Sequence, residues 1–336
     1  MTALRILIAT PLRTGRTKNG RNLGTALTRL GHEVFYFDYD DQPWSLRLTP
    51  RALRFGDWRG RQRAWVNARV LAEVARLRPT LFLCVKGLQF TPETLQGIAA
   101  GGTITAGYWI DDPLQHERSV ALASHYQHYF TNDEASVPKY RALGFGHVHH
   151  LPSSADPEMF FPLPQARPVA DVIFVGTRTD YRESILAQLT DLDLRVYGPG
   201  WKRSTLPQHL SFGPAFGAKT NWVYNHARVN LNIHGWFGQG SAMNLRCFEV
   251  PAAGAFLLTD WVAEIDTAYR EGEHLACYRS VDELRDKLRF YLAQPEARAR
   301  IAAAGREHFL AHHSYEARAR ELLARIGLGG QPPSAP

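Results

Sequence analysis

In the segment Gly240–Asp260, GSAMNLRCFEVPAAGAFLLTD, Glu249 is the one acid inside an apolar run that closes on Asp260, with Asn244 and Arg246 just ahead of it. A carboxylate is costly to bury unless it has a partner. A helix beginning near Met243, after glycines 235, 238 and 240, would offer N–H donors and partial positive charge to a phosphate. Arg246 on its first turns could add a two-pronged contact. Glu249, about one and a half turns in, could accept hydrogen bonds from two sugar hydroxyls. The plainer alternative is a surface ion pair with Arg246, three residues back, a weak interaction on a helix.

A second anion candidate is FVGTRTDYR, where Gly176 opens a turn flanked by Arg178 and Arg182. His234, closing VNLNIH, could touch a phosphate or sugar, or be a core histidine. In YWIDDP, Asp111 and Asp112 end an apolar run and are the candidates for a general base. Adjacent residues on a strand point to opposite faces, which suits a shared metal poorly. Asp38 and Asp40 would share one side of a strand and could hold a divalent cation, though solvated acids are the simpler reading. No metal site is expected. The glycines of LRTGRTKNGRN match neither G-x-G-x-x-G nor the NTPase phosphate loop, so dinucleotide and ATPase chemistry lack motif support.

These side chains need strands that end at them. LRILIATP, HEVFYFDYD, TLFLCVKG, GTITAGYWIDDP, YQHYFTND and HVHHLPSSAD read as strands, and helices fall between them. Thr91-Pro92 is a helix start, with a capping side chain followed by proline in the first turn. The proline-rich stretch Leu151–Ala170 reads as a linker. The alternation then restarts at DVIFVGT and continues through LRVYGPG, RVNLNIHGW, AFLLTDW and LACYRS, with helices from Val281 to Ile326 and a polar tail. Strands alternating with helices imply parallel sheets with crossovers. Two such runs give two doubly wound α/β domains, with ligands beyond the carboxyl ends of the strands and a cleft where the domains face each other.

The chain has 336 residues, 45% hydrophobic and 21% charged, a globular balance of two-domain size. Cys84, Cys247 and Cys277 fit neither a disulfide framework nor a zinc spacing. They are read as reduced core thiols in a cytoplasmic protein. The opening MTALRILIATP is read as a strand, not a signal peptide. The net charge is +7, much of it from Arg47–Arg69, RLTPRALRFGDWRGRQRAWVNAR. This stretch suits an anionic surface or acidic acceptor, with a peripheral membrane contact as one option. A solvated helix with inward aromatics is the simpler alternative, and no nucleic-acid partner is expected.

NLRCFEVPAAGAFLLTD resembles the signature of CgeB-like (spore-maturation type) glycosyltransferases of the GT-B class. YWIDDP, LPSSADPEMFFP, VIFVGTRTDYR and the helices past Val281 are similar to other parts of that family, so the resemblance spans nearly the whole chain. It implies two Rossmann-like domains: an acceptor domain over residues 1–155, a linker over 156–170 and a nucleotide-sugar domain over 171–312. A helix over 313–327 would cross back to the first domain, and 328–336 form a tail. It implies a metal-independent hexosyl transfer from a nucleoside-diphosphate sugar, UDP- or GDP-linked, with no cofactor and an unidentified acceptor. Glu249 matches the acid that holds the donor ribose. Asn244 and Arg246 fall at the diphosphate, which the Gly176–Arg178 turn faces. Ser241 occupies the position, eight residues before Glu249, where many retaining relatives carry a second glutamate. The rival readings are a sugar-nucleotide epimerase of the same architecture and a non-catalytic protein that binds anionic surfaces.

Overall fold

The computed structural model describes residues 2–12, 18–41, 58–113, 115–234 and 242–329. The chain divides into two compact units. One runs to Pro152 and includes the segment from Arg318; the other spans Ser153–Ala317.

The first unit alternates β1 (Arg5–Ala9), α1 (Asn19–Arg29), β2 (Glu33–Phe37), α2 (Trp58–Leu77), β3 (Leu81–Val85), α3 (Pro92–Ala100), β4 (Ile104–Trp109), α4 (His116–Ala123), β5 (His128–Thr131), α5 (Val137–Ala142) and β6 (Val148–His150). All of its strand pairs are parallel, in the order β2-β1-β3-β4-β5-β6. The apolar runs of β1 and β3 are buried throughout except at Arg5, as a parallel sheet covered on both faces requires. Thr91 caps α3, its side chain accepting the Thr94 N–H, with Pro92 in the first turn.

The second unit contains β7 (Ala170–Val175), α6 (Asp180–Leu186), β8 (Leu194–Tyr197), α7 (Ala218–Asn225), β9 (Ala227–Asn232), α8 (Arg246–Ala252), β10 (Leu257–Asp260), α9 (Ile265–Ala268), β11 (Ala276–Tyr278), α10 (Val281–Ala293) and α11 (Pro295–His312). The next helix, α12 (Tyr315–Arg325), groups with the first unit from Arg318 on. The sheet order is β11-β10-β9-β7-β8, again all parallel. Alternate residues of β7 enter two cores: Ile173 and Val175 pack on one face, Val172 and Phe174 on the other. Both sheets thus reverse strand order once, between β1 and β3 and between β7 and β9. In doubly wound folds ligands lodge in the crevice at that reversal.

Several details depart from the sequence reading. Part of the proline-rich stretch is stitched onto the second unit. Phe160 is buried in its core, and the N–H groups of Phe161 and Leu163 donate to Asn221 and Asn225 on α7. Asp38 and Asp40 lie past the end of β2, where the Asp38 carboxylate accepts the Asp40 N–H at 2.9 Å. They form a turn and do not share a strand face. The helix expected near Met243 starts at Arg246. The Met243 N–H goes to Glu264 at 2.5 Å, and the Asn244 side chain accepts the Arg246 N–H at 3.1 Å, which sets the first turn there. All three cysteines are free and buried. Among the described residues no helix is long and apolar enough to cross a membrane.

Candidate functional site

The reversal in the second unit lies between the end of β7 and the end of β9, and α8 begins beside it. Arg246, the first residue of α8, donates from Nε to the carbonyl of Val175, the last residue of β7. A Cβ on Gly176 would lie 3.0 Å from Arg246 Nη2 and 2.8 Å from the Phe174 ring. Glycine there makes the room in which the guanidinium sits. Gly198, at φ +138°, brings its backbone against the Gly176 carbonyl, where a Cβ would stand 2.0 Å from the oxygen. Trp201 fixes that carbonyl from the side, its indole N–H donating at 2.7 Å.

Arg182 crosses the same reversal. Its Nε donates to the Ile233 carbonyl at 3.0 Å and its Nη1 to the Thr177 carbonyl at 2.9 Å, so it ties the turn after β7 to the end of β9. Phe174 lies 5.6 Å from the Arg182 guanidinium and 5.9 Å from that of Arg246. Burial, and then the charge of Arg246, lower the Arg182 pKa to about 10 against the opposing pull of Asp260. Two cations that repel one another in a buried setting favour an anion between them.

His234, two residues past β9, is buried and forms a pair with Asp260 at the end of β10. Nδ1 is 2.6 Å from the carboxylate, and the His234 backbone N–H donates to both oxygens. Burial lowers the imidazole pKa, but the Asp260 charge and hydrogen bond outweigh it and raise the value to about 10. Nε2 also lies 3.3 Å from the Asn244 backbone nitrogen. That contact would suit a neutral ring, yet it is longer than the carboxylate bond. A ring that keeps its proton on Nδ1 for Asp260 meets both contacts.

Glu249 lies one turn into α8, on the face of Arg246. The Tyr224 hydroxyl, from α7, donates to Glu249 Oε2 at 2.7 Å. Burial, and then the Glu249 charge, hold the Tyr224 pKa well above its usual value, so the phenol stays a donor. The acid inside the apolar run thus has a partner that orients it.

The remaining candidates are placed differently from the sequence reading. Asn244 is engaged at both ends of its amide: Nδ2 donates to Asn232 at 2.9 Å and Oδ1 accepts the Arg246 N–H. The Cys247 N–H goes to the Asn244 carbonyl. Donors expected to be open at the helix start are therefore already used. Arg178 faces the carboxylates of Glu183 and Asp180, and the bond from Glu183 raises its pKa. Ser241 and glycines 235, 238 and 240 lie outside the described residues.

In the first unit, Asp111 and Asp112 follow the end of β4, so strand alternation no longer governs them. Asp112 is buried. Thr131 and Tyr140 donate to one oxygen at 2.6 and 2.9 Å, and His116 Nδ1 lies 3.2 Å from the other. Asp111 is partly exposed and pairs with Lys86 Nζ at 2.5 Å. Lys86 has φ +69°, a strained backbone that concentrates at working sites. Of the stretch Arg47–Arg69, residues 58–69 start α2, and residues 47–57 lie outside the described residues. Arg69 is exposed and lies over the Trp65 ring, its guanidinium 4.4 Å from the centroid. Among the described residues no cluster of three or more His, Cys, Asp or Glu is placed to hold a metal ion.

Sequence reasoning missed Tyr224, Asp260, Lys86 and the polar ladder Asn232–Thr259, joined at 3.0 Å below Asn244. Polar residues at the last positions of buried strands were the available signal.

A family model described as glycosyl transferase-like matches residues 178–324, which contain the Arg246–Glu249 site. The chain is 22% identical over 260 residues to spore protein CgeB of Bacillus subtilis (strain 168), covering 71% of this chain and 80% of that protein. Residues 178–324 are thus glycosyl transferase-like, and the chain is similar to CgeB over most of its length. Its GT-B fold is shared with sucrose-phosphate synthase of Thermosynechococcus elongatus (TM-score 0.69, 13% identity, 94% of this chain and 96% of that one). Anabaena HepE, solved in complex with UDP, also shares it (TM-score 0.61, 11% identity, 96% and 100%). The family match falls mostly on the unit that carries the arginines and Glu249.

Proposed function

We propose that the protein moves a hexosyl group from a nucleoside-diphosphate sugar, UDP- or GDP-linked, to an acceptor hydroxyl without a metal ion. The reading is carried by one observation: Arg246 and Glu249 share a face of α8 beside the β7/β9 reversal, each with its own anchor, the Val175 carbonyl and the Tyr224 hydroxyl. In the proposal Glu249 accepts the two ribose hydroxyls, and Arg246 holds the diphosphate. Arg182 adds positive field, and the His234–Asp260 pair holds the end of β9 in place. Asn244 sets the helix start, and Gly176 makes room for Arg246. Arg178 steadies the turn through Glu183. HepE has been solved with UDP and with UDP-glucose, which supports a UDP-sugar as the first donor to try.

The first unit takes the acceptor. As the acceptor oxygen attacks the anomeric carbon, its proton passes to Asp111. The bond from that carbon to the phosphate oxygen breaks, the nucleoside diphosphate leaves with the electron pair, and configuration inverts. Fixed positive charge at the leaving group stabilises the transition state. Ser241, in place of a second glutamate, supports inversion. Asp112 holds the loop that presents Asp111. The basic start of α2 offers a peripheral contact with an anionic surface.

A thermal-shift panel of UDP-, GDP-, ADP- and dTDP-sugars tests the reading. A ligand at about 100 times its Kd adds about 2.7 kcal/mol to folding stability. A UDP- or GDP-sugar should raise the Tm, and a protein unmoved by all of them would refute the assignment.

A further inference from the structure

The first unit has its own reversal, between β1 and β3, and a cavity opens beside the loop that follows β3. It has a volume of about 390 Å3, lined by Arg59, Gln62, Arg63 and Val66 from the start of α2 and by Leu88 and Gln89 after β3. Small-molecule sites begin at about 300 Å3. The walls are fixed by a buried side chain. Asn67 donates to the Arg63 carbonyl at 2.6 Å and the Gln89 carbonyl at 2.9 Å, and its oxygen accepts the Thr91 N–H at 3.0 Å. Arg63 itself donates to the Leu88 carbonyl at 3.3 Å. The described lining contains two guanidinium groups and no carboxylate. Guanidinium forks match the planar oxygens of carboxylates and phosphates, while Val66 and Leu88 offer an apolar floor.

We infer that this cavity binds the acceptor through an anionic head, a phosphate or carboxylate, with a short apolar part on the Val66–Leu88 floor. The inference rests on the proposed transfer reaction and names the acceptor class for it. Leu88 is two residues from Lys86, whose ammonium is 2.5 Å from Asp111. One loop therefore connects the wall of the cavity to the proposed base. Lys86 and Gly87 both have positive φ, a turn that carries the chain from the ion pair into the cavity wall.

The test is calorimetric titration of the full chain with glycerol 3-phosphate, glycerate and neutral glycerol, with vesicles of phosphatidylglycerol or phosphatidylcholine in parallel. Wild-type protein should bind both anions and ignore glycerol. Arg59→Gln/Arg63→Gln should weaken anion binding at least tenfold, and Arg59→Lys/Arg63→Lys should fall between, because a point charge keeps attraction but loses the fork. UDP binding, measured in the same samples, should be unchanged, which also shows that the variants are folded. Equal anion affinity in the glutamine variant would overturn the inference. So would a wild type that binds neither anion, or one that responds only to phosphatidylglycerol vesicles, which would make the site a membrane contact. A wild type that binds the anions but not UDP would sink the donor assignment and leave the anion cavity standing.

Discussion

The two units reverse strand order at equivalent places and furnish them very differently. At β7/β9 nearly every polar group already has a partner. Arg246 is tied to Val175, Arg182 to Ile233 and Thr177, His234 to Asp260, Asn244 to Asn232, and Glu249 to Tyr224. At β1/β3 the cavity is bordered by two exposed arginines, of which Arg63 donates to the Leu88 carbonyl, and the ion pair nearby sits on a strained residue. The first arrangement is preorganised, which favours recognition of one invariant ligand portion and transition-state charge. The second presents exposed guanidinium groups to a variable partner, at the expense of ordering them on binding.

Breaking the second arrangement should have the larger catalytic effect. Asp111→Asn should lower turnover about 10²–10⁴-fold, the usual worth of a positioned base, with donor affinity unchanged. Full turnover would remove Asp111 from the reaction.

Breaking the first should register in stability. Asp260→Asn leaves His234 without its counter-charge and should cost about 3–5 kcal/mol, read by chemical denaturation. The pH dependence gives the sign. The imidazole pKa is raised in the folded protein, to about 10 against an ordinary 6.5. The stabilisation from the pair is therefore complete below about pH 6.5 and is lost as pH rises toward 10. Wild type should lose that increment over this window, and the variant should show a flatter profile. Matching profiles would mean that the ring is neutral.

Some of this was legible in the residues and some was not. Glu249 stood out because an acid in an apolar run must be explained, and Thr91-Pro92 and the alternating strands followed from local rules. Tyr224 could not be found that way. It precedes Glu249 by 25 residues and meets it only because α7 and α8 share one face of the sheet. The family resemblance puts Asn244 at the diphosphate, and in the structure its amide meets Asn232 and the first turn of α8. Asp260 lay in the same segment and was passed over, since nothing near it in sequence announces His234. The arginines at the start of α2 were read as a basic surface. The cavity beside them depends on Asn67 pinning a loop 22–24 residues further along the chain, and composition carries no trace of such a bond.

The measurement that most directly tests the central claim is calorimetric titration of UDP into wild type and Glu249→Gln. Glutamine keeps the size and removes the charge that the ribose hydroxyls would meet. Hydrogen bonds to a charged group are worth about 1.5–3 kcal/mol, so UDP should bind roughly 10–150 times more weakly to the variant, with the melting profile preserved. Equal affinity in the two proteins would contradict the account.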